Sequence, residues 1–276
     1  MPNKKCLRLI STDGVGFFGT AKQFVYLYKD HFEDGTFDGV EAVAVAPVSR
    51  TKKFVSTLKK ANIPVVSFHG PTGGENQLPL PYRIMMNVVN RLLIDAENLF
   101  KNFKGKEILF HAPYTERQPV KQAILRYRPK KLWIENHLAG KKGVEKALEQ
   151  VLFYRKKGVN ASGLLDVYHY VVGMEKSVYL KNWGKLVDEM TGMVKDGFSG
   201  IHFPIGSRAA DSLPIDEMTD KMLMTFAKKI IPKVEKIVIE NQQKNLGMIY
   251  STESMLKKQK QRNHINILRL KKAGIL

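Results

Sequence analysis

The sequence has a single cysteine, Cys6, among its 276 residues, so the chain can form no internal disulfide. Cys6 begins an apolar run, where a buried and unreactive thiol is expected. No stretch approaches the ~18 consecutive apolar residues of a membrane-spanning helix, and the first residues lack the apolar core of a signal peptide. Low-complexity tracts are missing as well. We therefore expect a folded, cytoplasmic protein with no membrane partner.

Acidic residues are scarce, since 26 Asp and Glu stand against 45 Lys and Arg, and the formal net charge is +19. Such an excess is common in proteins that bind nucleic acid. Many of the cations, including Lys236, precede apolar runs, where they would lie at helix C-termini and offset the helix dipole. The basic segment after Glu240 could bind a polyanion or could be a solvated helix. Nucleic acid is therefore an open partner, but not the favoured one.

Short apolar runs bounded by turns alternate with longer segments of helical periodicity, such as Pro214–Ile231. The eight runs predicted as strands are Cys6–Ser11, Val40–Ala46, Pro64–Phe68, Glu107–His111, Lys131–Glu135, Gly163–Tyr168, Gly200–Phe203 and Lys236–Glu240. This alternation predicts a parallel sheet with helical crossovers, and eight units favour closure into a single-domain (β/α)₈ TIM barrel. We expect the barrel to span residues 1–245 and a basic, helical C-terminal extension to span residues 246–276.

Two connections contain several glycines. Residues 14–19 match the G-x-G-x-x-G pattern of a dinucleotide-binding turn, but the second strand ends without the acidic residue that such a fold uses to hold the ribose. We therefore interpret these glycines as a tight turn. The polar connection 69–81 follows the third strand, and its length makes it a candidate lid.

Polar side chains end the last four predicted strands. In a (β/α)₈ barrel the C-terminal ends of the strands meet at one rim, and the chemistry lies there. Glu135, Asp166, His202 and Glu240 would meet at this rim, and carboxylates so close together repel one another unless a cation lies between them. Three carboxylates and one imidazole suit Mn²⁺, Mg²⁺ or Co²⁺, and Zn²⁺ is also compatible. The sequence thus predicts a divalent-metal site.

From strand 3 to strand 8 the pattern resembles the xylose isomerase-like (β/α)₈ superfamily, which includes sugar isomerases, sugar epimerases and the endonuclease IV class of nucleases. The resemblance implies that the four rim residues hold the metal. His169 and Arg208 match, by their spacing, the sugar contacts of the ketose 3-epimerase branch, in which Glu135 and Glu240 would exchange a proton with a keto-sugar. One departure is Lys141, which stands where these epimerases have an acidic substrate contact.

The endonuclease IV comparison rests on His69, His111 and the Asp166-x-x-His169 motif, which match additional ligands of a three-zinc cluster. In the epimerase interpretation His69 and His111 contact the substrate instead. The loop between Phe203 and Pro214 contains no histidine, so the third zinc would lack ligands. An abasic-site nuclease is thus the enzyme alternative. The second alternative is a non-catalytic barrel that binds a polyanion through its basic tail. The substrate and the oligomeric state stay open.

Overall fold

Eight parallel strands form the centre of the protein in the computed structural model, which describes residues 6–12, 20–44, 48–70, 96–137, 139–206, 212–241 and 253–276. The strands are β1 Leu7–Ser11, β2 Gly39–Val43, β3 Val65–His69, β4 Glu107–His111, β5 Lys131–Glu135, β6 Ala161–Asp166, β7 Phe198–Gly206 and β8 Lys236–Asn241. Each strand pairs with the next, and β8 pairs with both β7 and β1, which closes the sheet. The predicted (β/α)₈ barrel is confirmed.

Helices surround the barrel and connect its strands. They are α1 Ala21–Glu33, α2 Val48–Lys60, α3 Ala96–Asn102, α4 Ala112–Thr115, α5 Gln118–Tyr127, α6 Gly140–Lys156, α7 Val167–Val171, α8 Lys176–Lys181, α9 Trp183–Asp196, α10 Asp220–Ile230 and α11 Glu253–Ala273. A short 3₁₀ turn, Ile231–Lys233, follows α10. In the described ranges, no helix combines the length and the apolar character needed to cross a membrane.

Among the boundaries that differ from the sequence prediction, two have an identifiable reason. The helix predicted from Pro214 begins only at Asp220, because Leu213–Pro214 pairs with β7 as a two-residue strand and the Thr219 hydroxyl caps α10. Strand β6 ends at Asp166 because its carboxylate accepts a hydrogen bond from the backbone N–H of His169, 2.6 Å away, and so begins α7. Arg208, the glycine turn 14–19 and all but the first two residues of the 69–81 connection lie outside the described residues.

The barrel interior is built in layers, because side chains two residues apart on a strand face the same side. An apolar layer lies one step below the strand ends and consists of Leu9, Leu109, Trp133, Leu164 and Val238. A Cβ atom at Gly200 would lie 2.8 Å from the Trp133 ring, so this glycine gives the indole its space. This apolar layer lies directly beneath the polar strand ends.

The C-terminal helix α11 packs against α1 and α10, and its Ile267 and Leu270 are buried in the main hydrophobic core. Several of its cations face acids of the barrel helices and of the turn after α1. The pairs are Lys260 with Asp30 at 2.7 Å, Arg269 with Asp220 at 3.1 Å, and Lys271 with Asp34 at 3.3 Å. The described part of the extension is therefore a layer of the fold, while the boundary at residue 245 lies outside the described ranges and stays a prediction.

Candidate metal centre

The four predicted ligands, Glu135, Asp166, His202 and Glu240, meet inside the C-terminal mouth of the barrel, and all four are buried. Nδ1 of His202 lies 3.1 Å from a Glu135 oxygen, 3.4 Å from a Glu240 oxygen and 4.0 Å from an Asp166 oxygen. Ligand atoms around a cation with bonds of roughly 2.1 Å stand about 3 Å apart. Asp166, His202 and Glu240 form one group that could hold a divalent cation, and Glu135 belongs to two neighbouring groups, one with His202 and one with Asp166.

The side chains of this cluster shift one another's pKa values. Burial and the adjacent Glu135 raise the pKa of Asp166 well above its usual value. Burial opposes the ionisation of Glu135 too, but His202 and His111 outweigh it and hold its pKa well below the usual range. Burial likewise disfavours a charged His202, yet Glu135 and Glu240 raise its pKa well above normal. A bound cation would compete with protons for Asp166 and His202, because metal ligands must be deprotonated.

Two further predicted residues, His69 and His111, contact the other oxygen of Glu135, with Nε2 of each 3.2 Å from it. The second nitrogen of His69, Nδ1, lies 2.7 Å from the Gly70 carbonyl and donates to it. Burial opposes protonation of His69, but its bond to Glu135 raises its pKa to about 9. Burial dominates at His111 and lowers its pKa to about 3. This second oxygen of Glu135 therefore faces two imidazoles whose pKa values are shifted in opposite directions.

His169, predicted to contact the sugar, lies in the first turn of α7 beside the cluster. It is half-buried, and it stands with Glu135 and Asp166 in a group of side chains that could hold a metal ion. Lys141, the departure from the epimerase pattern, lies exposed in the first turn of α6. Arg208 belongs to the 207–211 stretch outside the described residues, so its role stays a prediction.

Glu41, on β2, is part of the site although the sequence analysis did not select it. Its side chain is fully buried, and one oxygen lies 2.6 Å from Nε2 of His202. The other oxygen lies 2.7 Å from the Ser67 hydroxyl and 2.9 Å from the Lys236 ammonium. A carboxylate on the far nitrogen of a ligand histidine fixes the ring's orientation and raises its basicity. The available signal was a lone acid within the apolar run Val40–Ala46.

Lys236 differs from its expected role as a cation at a helix C-terminus. It begins β8, and its ammonium is buried inside the barrel, 4.5 Å from the centre of the Trp133 ring. Burial opposes ionisation of Glu41, but Lys236 and then His202 hold the pKa of that carboxyl well below its usual range. A chain of charged contacts therefore runs from Lys236 through Glu41 to His202 at the rim.

We expect Glu41→Gln to weaken metal binding about 10–100-fold, because glutamine keeps the shape but loses the charge that orients and polarises His202. The measurement is isothermal titration of metal-stripped protein with Mn²⁺. Glu33→Gln, at the exposed end of α1, is the matched control and should bind as wild type does. Thermal unfolding recorded on each variant separates weakened binding from loss of structure. Unchanged affinity in folded Glu41→Gln protein would contradict the role given to Glu41.

Comparison with known proteins gives structural matches alone. No family model matches the chain, and no curated protein sequence matches it. The chain is similar to 3-keto-D-glucoside 4-epimerase from E. coli, with a TM-score of 0.51 and 11% identity over 97% of this chain and 100% of that one. It is also similar to a D-tagatose 3-epimerase-like protein, with a TM-score of 0.50 and 13% identity over 96% of this chain and 98% of that one. These matches show that the chain shares the barrel fold of both proteins.

Proposed function

We propose that the protein is a divalent-metal-dependent epimerase or isomerase of a small keto-sugar or polyol derivative. The observation that carries this proposal is the approach of Glu135 and Glu240 to the same His202 nitrogen, at 3.1 and 3.4 Å, from strands separated by two others. Two carboxylates beside one cation-binding position are what proton exchange at a carbon next to a carbonyl requires. The barrel fold, shared with two proteins named as an epimerase and as epimerase-like, supports the same class of reaction.

In the proposed reaction one carboxylate removes the proton from the carbon next to the substrate carbonyl, and the other carboxyl group returns a proton to the opposite face. The configuration at that carbon is inverted and no net proton is consumed. Glu135 is suited to begin as the base, because its histidine neighbours keep it ionised. A cation held by Glu135, Asp166, His202 and Glu240 would polarise the carbonyl oxygen, and the oxygen-rich set favours Mn²⁺, Mg²⁺ or Co²⁺ over Zn²⁺.

His69, His169 and Arg208 are the proposed substrate contacts. His69 supports this role by its position, since its buried ring lies 3.2 Å from Glu135 at the centre of the site. His111 is proposed as a further contact in the same group. Lys141 replaces the acidic contact of the ketose 3-epimerases, so we expect a substrate whose recognition does not depend on that carboxylate.

The direct test is solvent deuterium uptake. Protein loaded with Mn²⁺ is incubated in D₂O with a panel of ketoses, and loss of the carbon-bound hydrogen next to the carbonyl is followed by NMR. We expect exchange with at least one ketose. The exchange rate should fall about 10²–10⁴-fold in Glu240→Gln, because this variant lacks one proton-transfer group. Glu217→Gln, an exposed site before α10, is the matched control. Absence of exchange with every ketose would overturn the proposal for this substrate class.

A second candidate, an abasic-site nuclease, is supported by the contact of both His69 and His111 with one oxygen of Glu135. Zinc-loaded protein that cuts abasic duplex DNA but exchanges no ketose hydrogen would favour this candidate.

Polyanion binding through the tail is less well supported, because several tail cations already face acids. Since α11 contributes to the core, charge reversal at exposed Lys258 and Arg262 tests that function better than truncation does.

A further inference from the structure

Three histidines lie together at the rim, next to the four ligands of the candidate metal centre. His111 ends β4, His137 follows β5 by two residues, and His169 lies in α7 directly after β6, so three consecutive strands deliver them. The His111 and His137 rings stack at 4.3 Å, and the His169 ring is 5.2 Å from His137 and 6.0 Å from His111. One ring nitrogen from each lies within 4.8 Å of the other two. We refer to them as the three-histidine cluster.

His111 supplies an independent observation that points to a ligand. Its Nε2 lies 3.2 Å from an oxygen of Glu135, and a carboxylate oxygen there accepts the proton of that nitrogen. Its Nδ1 then carries a lone pair, and this atom is buried without a hydrogen-bond partner among the described residues. A buried polar atom left in that state costs about 1–3 kcal/mol. A histidine that donates one nitrogen to a carboxylate commonly binds a metal with the other.

We propose that His111, His137 and His169 bind a second divalent cation, of the zinc type, beside the rim site. The set shares no residue with Glu135, Asp166, His202 and Glu240, and it contains no carboxylate. Imidazole nitrogens suit Zn²⁺, Co²⁺, Ni²⁺ or Cu²⁺, whereas Mg²⁺ requires oxygen ligands. The two sites therefore differ in the metal they prefer, although Zn²⁺ is compatible with the ligands of both.

The exposure of the cluster indicates what else the second cation would contact. His111 is buried, but His137 and His169 are only half-buried, so the cluster is partly exposed on the side of these two histidines. Three protein ligands and one open position are typical of zinc sites that bind water or a substrate oxygen. His169, assigned to the sugar by resemblance, would hold this cation and contact the substrate only through it.

The test counts metal ions on the full chain. Protein stripped with a chelator is titrated with Zn²⁺ by calorimetry, and the metal retained after desalting is measured by mass spectrometry. We expect about two equivalents in wild type, one fewer in His137→Ala, and no loss in His264→Ala, whose histidine is exposed on α11. Glu240→Gln should lose affinity at the rim site while keeping the equivalent bound by the cluster.

Cobalt gives a spectroscopic readout that a structural role would not change. Four-coordinate Co²⁺ with nitrogen ligands absorbs visible light strongly, whereas six-coordinate Co²⁺ with oxygen ligands absorbs weakly. The strong band should disappear in His137→Ala and in His169→Ala and persist in Glu240→Gln. One equivalent in wild type, or a folded His137→Ala variant with wild-type stoichiometry and spectrum, would overturn the proposal. Loss of both equivalents from a folded His137→Ala variant would also contradict a separate site.

Discussion

Replacing Glu135 by glutamine is expected to remove most of the protein's affinity for Mn²⁺. One oxygen of this carboxylate lies 3.1 Å from His202, and the other lies 3.2 Å from both His69 and His111. Glutamine preserves the volume but withdraws the charge and a proposed direct ligand. The affinity for Mn²⁺ should therefore fall by more than the roughly 10–100-fold expected when an outer partner such as Glu41 is replaced. Calorimetric titration of metal-stripped protein measures the difference.

The control for this variant is Glu145→Gln, the same substitution on the exposed face of α6, which should leave affinity unchanged. Circular dichroism of both variants establishes that the barrel is intact. If folded Glu135→Gln bound Mn²⁺ within a few-fold of wild type, Glu135 would not be a ligand. The residue would then act on the histidines alone, and the proton transfer assigned to it would need another base.

Trp133→Ala should produce the largest loss of stability among single substitutions in the barrel interior, about 3–5 kcal/mol. The indole is 1% exposed, and its Nε1 donates to Glu107 at 2.8 Å. The ammonium groups of Lys131 and Lys236 lie 4.1 and 4.5 Å from the ring centre. Alanine would leave a cavity in the layer beneath the site and remove these interactions together. Urea unfolding followed by circular dichroism measures the free energy of unfolding.

Two comparison variants define the source of that loss. Trp133→Phe keeps most of the ring volume but removes the bond to Glu107, so it should cost less than alanine does. Tyr26→Ala removes an aromatic side chain that is 41% exposed, and it should change stability by about 0.5 kcal/mol or less. A loss below about 1 kcal/mol for Trp133→Ala would mean that the indole does not fill the barrel as described.

The barrel could be predicted from sequence because parallel strands covered on both sides form short, nearly continuous apolar runs. All eight such runs contain strands of the closed sheet. Boundaries were less predictable. The true start of α10 depends on the pairing of Leu213–Pro214 with β7, and that contact is not encoded in helical periodicity. The prediction therefore extended the helix back to Pro214.

The rim residues could be selected because strand ends of a barrel converge, so position along each run indicated which side chains would meet. Glu41 could not be selected in that way. It lies in the middle of β2, and its partner His202 is 161 residues away in the sequence. Only the closed sheet brings the two strands to face each other across the interior. Lys236 differs from its expected place at a helix C-terminus for the same reason, because its buried partner Glu41 lies on β2, far away in the sequence.

The packing of α11 against α1 affects the order in which the protein can assemble during synthesis. Asn263 on α11 donates to the Tyr28 hydroxyl on α1, 235 residues earlier in the sequence, and β8 completes the sheet beside β1. A growing chain that has exposed only the earlier strands holds an open sheet with the edges of β1 and β7 unpaired. Such edges invite association with other chains. The barrel must therefore close late in synthesis. Shortened chains that lack β8 and α11 are the forms most prone to aggregate.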